Sequence, residues 1–256
     1  MATRATRFAA FHRADRNFYL GFVIAGWLGV LGGFAPPLAG RFAGHADYPA
    51  PPVLHIHALA FTTWMVLLAV QVLLVRTGRT AVHRRLGMVS VGLIPIMVLS
   101  GFFSEVYSQR FYLMHPPNSQ AFFIIPIFDV LAFGALAAAA IANRGAPATH
   151  KRLLYLATAM IVGAAWTRVM GRPLGALSGD GYLGMIVNTF TSTNLFLLAV
   201  VVFDVVTRGR PHPVLVALVP AIVAGEFAVS WIYHAPGWLP VAHAIAANLP
   251  GPPLTG

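Results

Sequence analysis

The 256 residues contain no cysteine. Disulfides, thiolate metal sites and thiol nucleophiles are therefore excluded. Charge is also scarce: Asp, Glu, Lys and Arg together make up 9% of the chain. There are only seven acids, and Lys151 is the single lysine among 17 basic residues. A soluble domain carries about 25% charged residues, so this chain lacks the polar groups to cover a water-facing surface. No Gly-x-Ser-x-Gly nucleophile motif, phosphate loop or dinucleotide fingerprint is apparent.

Apolar residues fill the chain instead, at 58% of the total. They gather in seven runs, at about 18–35, 53–75, 82–104, 119–143, 149–170, 183–207 and 214–234. About 20 apolar residues cross a bilayer, and a lipid-exposed backbone must satisfy its own hydrogen bonds, which requires helices. The expectation is an all-α, seven-transmembrane helical bundle whose partner is the lipid bilayer. A basic segment, 1–17, precedes the membrane domain at 18–235, and a tail, 236–256, follows it. The first run is too long for a signal peptide and lacks a small-residue cleavage site, so it reads as a retained span. Proline and glycine mark expected breaks at Pro36-Pro37, Pro49 to Pro52, Pro116-Pro117, Gly171 to Pro173, Pro211 to Pro213 and Pro236. Residues 238–249 suit a short helix at the interface, with Trp231, Tyr233 and Trp238 in an aromatic belt.

A turn recurs roughly every 65 residues: Arg76 to Arg79 then His83, Arg144-Gly145 then His150, and Arg208 to Pro211 then His212. It predicts a repeated helical hairpin. Most basic residues fall at the end of the bundle that holds these turns; only Arg41, Arg110, Arg168 and Arg172 fall toward the other. The positive-inside bias makes the arginine-rich end cytoplasmic, with the N-terminus inside and the C-terminus outside. The formal charge of +10 is thus spread through short turns, and no nucleic-acid partner is expected. The excess of arginine over lysine, with abundant alanine and glycine, points to a bacterial inner (plasma) membrane.

This topology sorts the histidines. His83, His150 and His212 fall at the cytoplasmic end, where an interfacial helix start is the plain reading. His55, His57, His115, His234 and His243 fall toward the outside. His57, Trp64 and Gln71, seven apart, lie on one helical stripe. His55 and His57 diverge by about 200° if both are helical. Ionisable groups inside spans are costly and usually face a bundle interior or cavity. Here they are Asp129, Arg168 and Glu226, with Glu105 at a span end and a polar run from Asn188 to Asn194. They fall in the outer half, apart from Asp204 near the cytoplasmic end, which can pair with Arg208 one turn on.

The stretch 53–170 resembles a group of uncharacterised bacterial polytopic membrane proteins. Their pattern is similar to His55-x-His57, Trp64, Gln71, Gly78-Arg79 and His83-Arg84-Arg85-Leu86-Gly87 here. It continues with Asp129, His150-Lys151-Arg152-Leu153, Ala157-Thr158 and Arg168. The resemblance implies fold and residue positions and no reaction.

Two main functional expectations follow. One is an outward-facing polar site for a small ligand or ion, transporter-like or receptor-like. It would be lined by His57, Trp64, Asp129, Arg168, Asn188, Ser192 and Glu226, with Arg168 pairing with Asp129 or Glu226. The alternative is a redox protein holding haem b or a divalent metal on histidines drawn from His55, His57, His83, His150 and His234. An accessory subunit of a membrane complex, or a homo-oligomer, needs only interhelical polar contacts. An intramembrane zinc hydrolase of the ceramidase and adiponectin-receptor type resembles this chain in topology alone, because the last span lacks His-x-x-x-His.

Overall fold

A computed structural model describes residues 8–46, 50–113, 120–179 and 181–249, with only the backbone of Arg172. His115, Pro116-Pro117, Pro49 and the two chain ends lie outside the described residues. The described chain is helical almost throughout. Its helices are α1 (Asp15–Phe42), α2 (Pro52–Arg76), α3 (Thr80–Gly87), α4 (Val89–Leu113), α5 (Ile124–Ala142), α6 (Pro147–Ser178), α7 (Tyr182–Arg208), α8 (Pro213–His234) and α9 (Trp238–Asn248). A single 3-10 turn, Gln120–Phe123, leads into α5. Seven helices (α1, α2, α4, α5 with its leading turn, α6, α7 and α8) are long and apolar enough to cross a membrane. Many large apolar side chains point outward, among them Leu28, Leu31, Leu59, Leu131 and Leu198. Such a surface belongs against lipid.

Successive spans alternate in direction, and hydrogen bonds fix which ends meet. At the arginine-rich end, Arg76 at the close of α2 donates to the Arg16 carbonyl and to Asn17 at the start of α1. Lys151 near the start of α6 and Arg208 at the end of α7 both pair with Asp15. At the opposite end, Arg110 of α4 donates to the Ala247 carbonyl of α9 at 2.6 Å. Trp238 of α9 donates to the Ala121 carbonyl at 2.9 Å.

α6 is the most enclosed span and touches α1, α5, α7 and α8. It packs closely because glycines face it. A Cβ on Gly29 would come within 2.5 Å of Trp166, and one on Gly33 would strike the Ala165 carbonyl. Within α6 itself, Gly163 makes room for Thr193 of α7.

Four boundaries depart from the sequence reading, the last being the end of α4 at Leu113 rather than near residue 104. α1 runs through Pro36-Pro37 to Phe42, and α6 runs through Pro173 to Ser178. A proline removes one donor and crowds the carbonyl four residues back. In α1 those positions are Gly32 and Gly33, whose backbones adapt readily. The third departure is at the turn after Gly78, where the chain forms the separate helix α3 before α4 begins. His83 therefore sits outside the spans, and Glu105 lies well inside α4 rather than at its end.

Candidate functional site

The α2 stripe faces the bundle but does not line one site. Trp64 is 3% exposed, and its indole N–H donates to Thr158 of α6 at 3.2 Å. His57, about two turns of helix away, rests on Phe61 with ring centres 4.2 Å apart, and its Nδ1 is buried without a hydrogen-bond partner. His55 is exposed. Both residues are helical from Pro52 onward, so the His-x-His pair diverges and cannot close on one ion.

Arg168 does not stand among the span acids in the way expected. It lies over the Phe34 ring, 4.5 Å from its centre, and donates to the Ala164 carbonyl at 2.7 Å. Its charge acts on His57 and Glu105. Glu105 in turn accepts from Gln109 at 2.6 Å. Ser192 donates to the Gly163 carbonyl at 3.2 Å, a contact that joins α7 to α6. Asn188 lies against Gly171 and Gly175, and its Oδ1 is buried without a donor. His234 is exposed; its Nδ1–H donates to the Ser230 carbonyl, and its ring neighbours are Tyr182 and Tyr233.

The two remaining acids lie on adjacent helices at a similar level. A Cβ on Gly225 would come within 2.6 Å of Phe128, so α5 and α8 approach closely at this level. The next residue on each helix is acidic: Asp129 on α5 and Glu226 on α8. The charge of Glu226 acts on Asp129. Glu226 is fully buried and accepts from the Asn194 amide of α7 at 2.7 Å. One oxygen of each carboxyl, Asp129 Oδ1 and Glu226 Oε1, is buried with no donor. A buried carboxylate oxygen without a partner forfeits its hydration for nothing in return. Two such oxygens on adjacent helices are acceptors that suit a proton or a cation.

At the arginine-rich end, the charged groups around Asp15 and Asp204 are paired. Arg152 and Asp204 are both 0% exposed and form a forked ion pair, with Nε to Oδ2 at 2.7 Å. Asp204 also accepts from the main-chain N–H of His212 at 3.0 Å. Arg208 does pair with Asp204, at 3.7 Å, and also pairs with Asp15 at 2.7 Å. His212 caps α8 by accepting from the Val214 N–H at 3.1 Å. Burial, followed by the charge of Arg152, holds this imidazole below its usual range. A buried Arg152 was not foreseeable from its place in a basic turn; the one legible signal was Asp204, an acid near a span end with no like-placed neighbour.

Among the described residues, no group of three His, Cys, Asp or Glu is placed to hold a metal ion. Comparison with protein-family models, with curated proteins and with solved structures found no match.

Proposed function

We propose that this chain is a multi-pass inner-membrane protein that binds a proton or a small alkali cation between its spans, at Asp129 and Glu226. The observation that carries this reading is the pair of carboxyls on adjacent helices, each with one buried oxygen lacking a donor, and with the charge of Glu226 acting on Asp129. Like charges buried at one level of a bundle repel each other. A bound cation or a shared proton removes that cost and supplies the missing donor. Asn194, fixed on Glu226, orients one carboxyl and leaves the other free to adjust.

The arginine-rich end is taken as cytoplasmic on the positive-inside bias, which puts the acid pair in the outer half of the membrane. Ionisable groups at such depth commonly mark ion paths. A transporter-like role fits better than a purely structural one, because polar groups that served only as interhelical contacts would be paired. Trp64, Thr158 and Ser192 are paired in that way, while the acids retain unsatisfied oxygens.

The test is thermal unfolding of the purified protein in detergent, in lithium, sodium or potassium chloride against choline chloride, at about pH 7 and pH 5. Saturating ligand is worth about 3 kcal/mol at a hundredfold excess over Kd. The wild type is expected to melt about 5 °C or more higher with one alkali cation or with acid. Asp129→Asn and Glu226→Gln should lose that shift. Equal responses in wild type and variants, or no response to any cation or to pH, would sink the reading.

A further inference from the structure

A second place with unsatisfied polar groups lies at the opposite, arginine-rich end, independent of the acid pair. Three elements meet there. The main-chain carbonyl of Gln71, late in α2, stands beside the His83 ring of α3. The Gln71 amide lies against Gly87, where a Cβ would come within 3.3 Å of it. His83 and Gly87 are one turn apart, on one face of α3. His150, in the first turn of α6, meets His83 edge-on, with ring centres 6.4 Å apart and planes at 82°.

The hydrogen bonds set what the rings offer. His150 Nδ1 lies 2.8 Å from the Ala140 carbonyl. A carbonyl only accepts, so Nδ1 carries the proton and Nε2 keeps its lone pair. His83 Nδ1 is buried and has no partner, and the same is true of Gln71 Oε1. An imidazole anchored through one N–H to a main-chain carbonyl, with the other nitrogen free, is the usual posture of a metal ligand.

The separation narrows the geometry. Metal–imidazole bonds are about 2.0–2.1 Å, and a ring centre lies roughly 1.1 Å behind its nitrogen. Two imidazoles on opposite sides of one ion therefore have centres about 6.2–6.4 Å apart, against about 5.2 Å at a tetrahedral angle. The observed 6.4 Å matches the opposed arrangement. Both donors are neutral, and Arg79, Arg84 and Arg144 are exposed nearby in the chain. Such surroundings disfavour a doubly charged ion and favour a singly charged one.

We infer that His83 and His150 form a two-coordinate site for copper(I), with Gln71 holding His83 in place. Imidazole is a competent copper ligand, and linear coordination by two donors is a common geometry of the monovalent ion.

The experiment is anaerobic titration of the untagged full-length protein in detergent with copper(I), in competition with a chromogenic copper(I) chelator. One equivalent per chain is expected to be withheld from the chelator. His83→Ala and His150→Ala should each weaken retention at least tenfold, while His57→Ala should leave it unchanged. Copper X-ray absorption on the wild type needs no variant and should report two nitrogen ligands in line. No retained copper, retention unchanged in both variants, sulfur in the copper shell, or preferential binding of zinc would each overturn the assignment. A haem absorbance band in the purified protein that is lost in His83→Ala would also overturn it, in favour of haem.

Discussion

Arg152 donates through its fork to Asp204 and through Nη1 to the Ala148 carbonyl at 2.8 Å, and its guanidinium lies 4.6 Å from the Phe8 ring centre. Every face of this buried cation is thus occupied. Removing one member of a buried ion pair leaves the other charge uncompensated, at about 3–5 kcal/mol. Arg152→Met should therefore destabilise the protein by that amount. Replacing both members, Arg152→Met with Asp204→Asn, should cost less than the single change, since the amide can still accept from the His212 N–H. Thermal melts in detergent decide this; a double variant no more stable than the single one would contradict it. Residue chemistry of this kind was only partly legible in advance. Asp204 and Glu226 stood out because acids in apolar runs are rare. Their partners did not, because Arg152 is one of several basic residues in a turn and Asn194 one of six polar residues in a run. Periodicity gives the depth of a side chain along its own helix; which neighbouring helix it meets depends on crossing geometry that no single run encodes.

At the scale of elements, glycine placement governs how α1 reaches α6. Gly26, Gly29 and Gly33 are buried, and a Cβ on Gly33 would meet backbone, which cannot rotate aside. Gly33→Ala should cost about 1–3 kcal/mol through overpacking. Gly21→Ala, with nothing within 4 Å of the added carbon, should be neutral or gain up to about 1 kcal/mol from helix propensity. Parallel melting curves test the pair, and equal effects would remove the packing explanation. The seven apolar runs were legible to within a few residues at most ends, because length and hydropathy alone define a span. Two of the misplaced ends share a cause. Pro36-Pro37 and Pro173 look like stops, yet each lies where the helix continues. Val82 looked like the start of a span, yet the chain turns once more as α3, whose basic residues Arg84 and Arg85 suit the edge of a membrane better than its interior.

For the whole molecule, the absence of cysteine makes topology directly measurable, since any introduced thiol is unique. Thr77, exposed at the arginine-rich end, and Pro236, exposed at the other, are suitable sites. With the arginine-rich end inside, Pro236→Cys should react with a membrane-impermeant maleimide in intact spheroplasts, and Thr77→Cys only after the membrane is opened. The reverse pattern would invert the orientation and move the acid pair to the cytoplasmic half. The clasp on Asp15 also carries a consequence for the order in which the bundle is built. Its two cations, Lys151 and Arg208, lie 136 and 193 residues further along the chain. At about 5–20 residues per second, a ribosome needs roughly 7–27 s to reach the nearer one. The first span thus enters the bilayer long before α6 exists to receive its glycine face. Through that interval the face that will meet α6 must be covered by lipid or by the insertion machinery, with α2 as the packed neighbour. Its docking on α6 is a late closing step, and a nascent chain stalled before Lys151 should hold α1 against α2 alone.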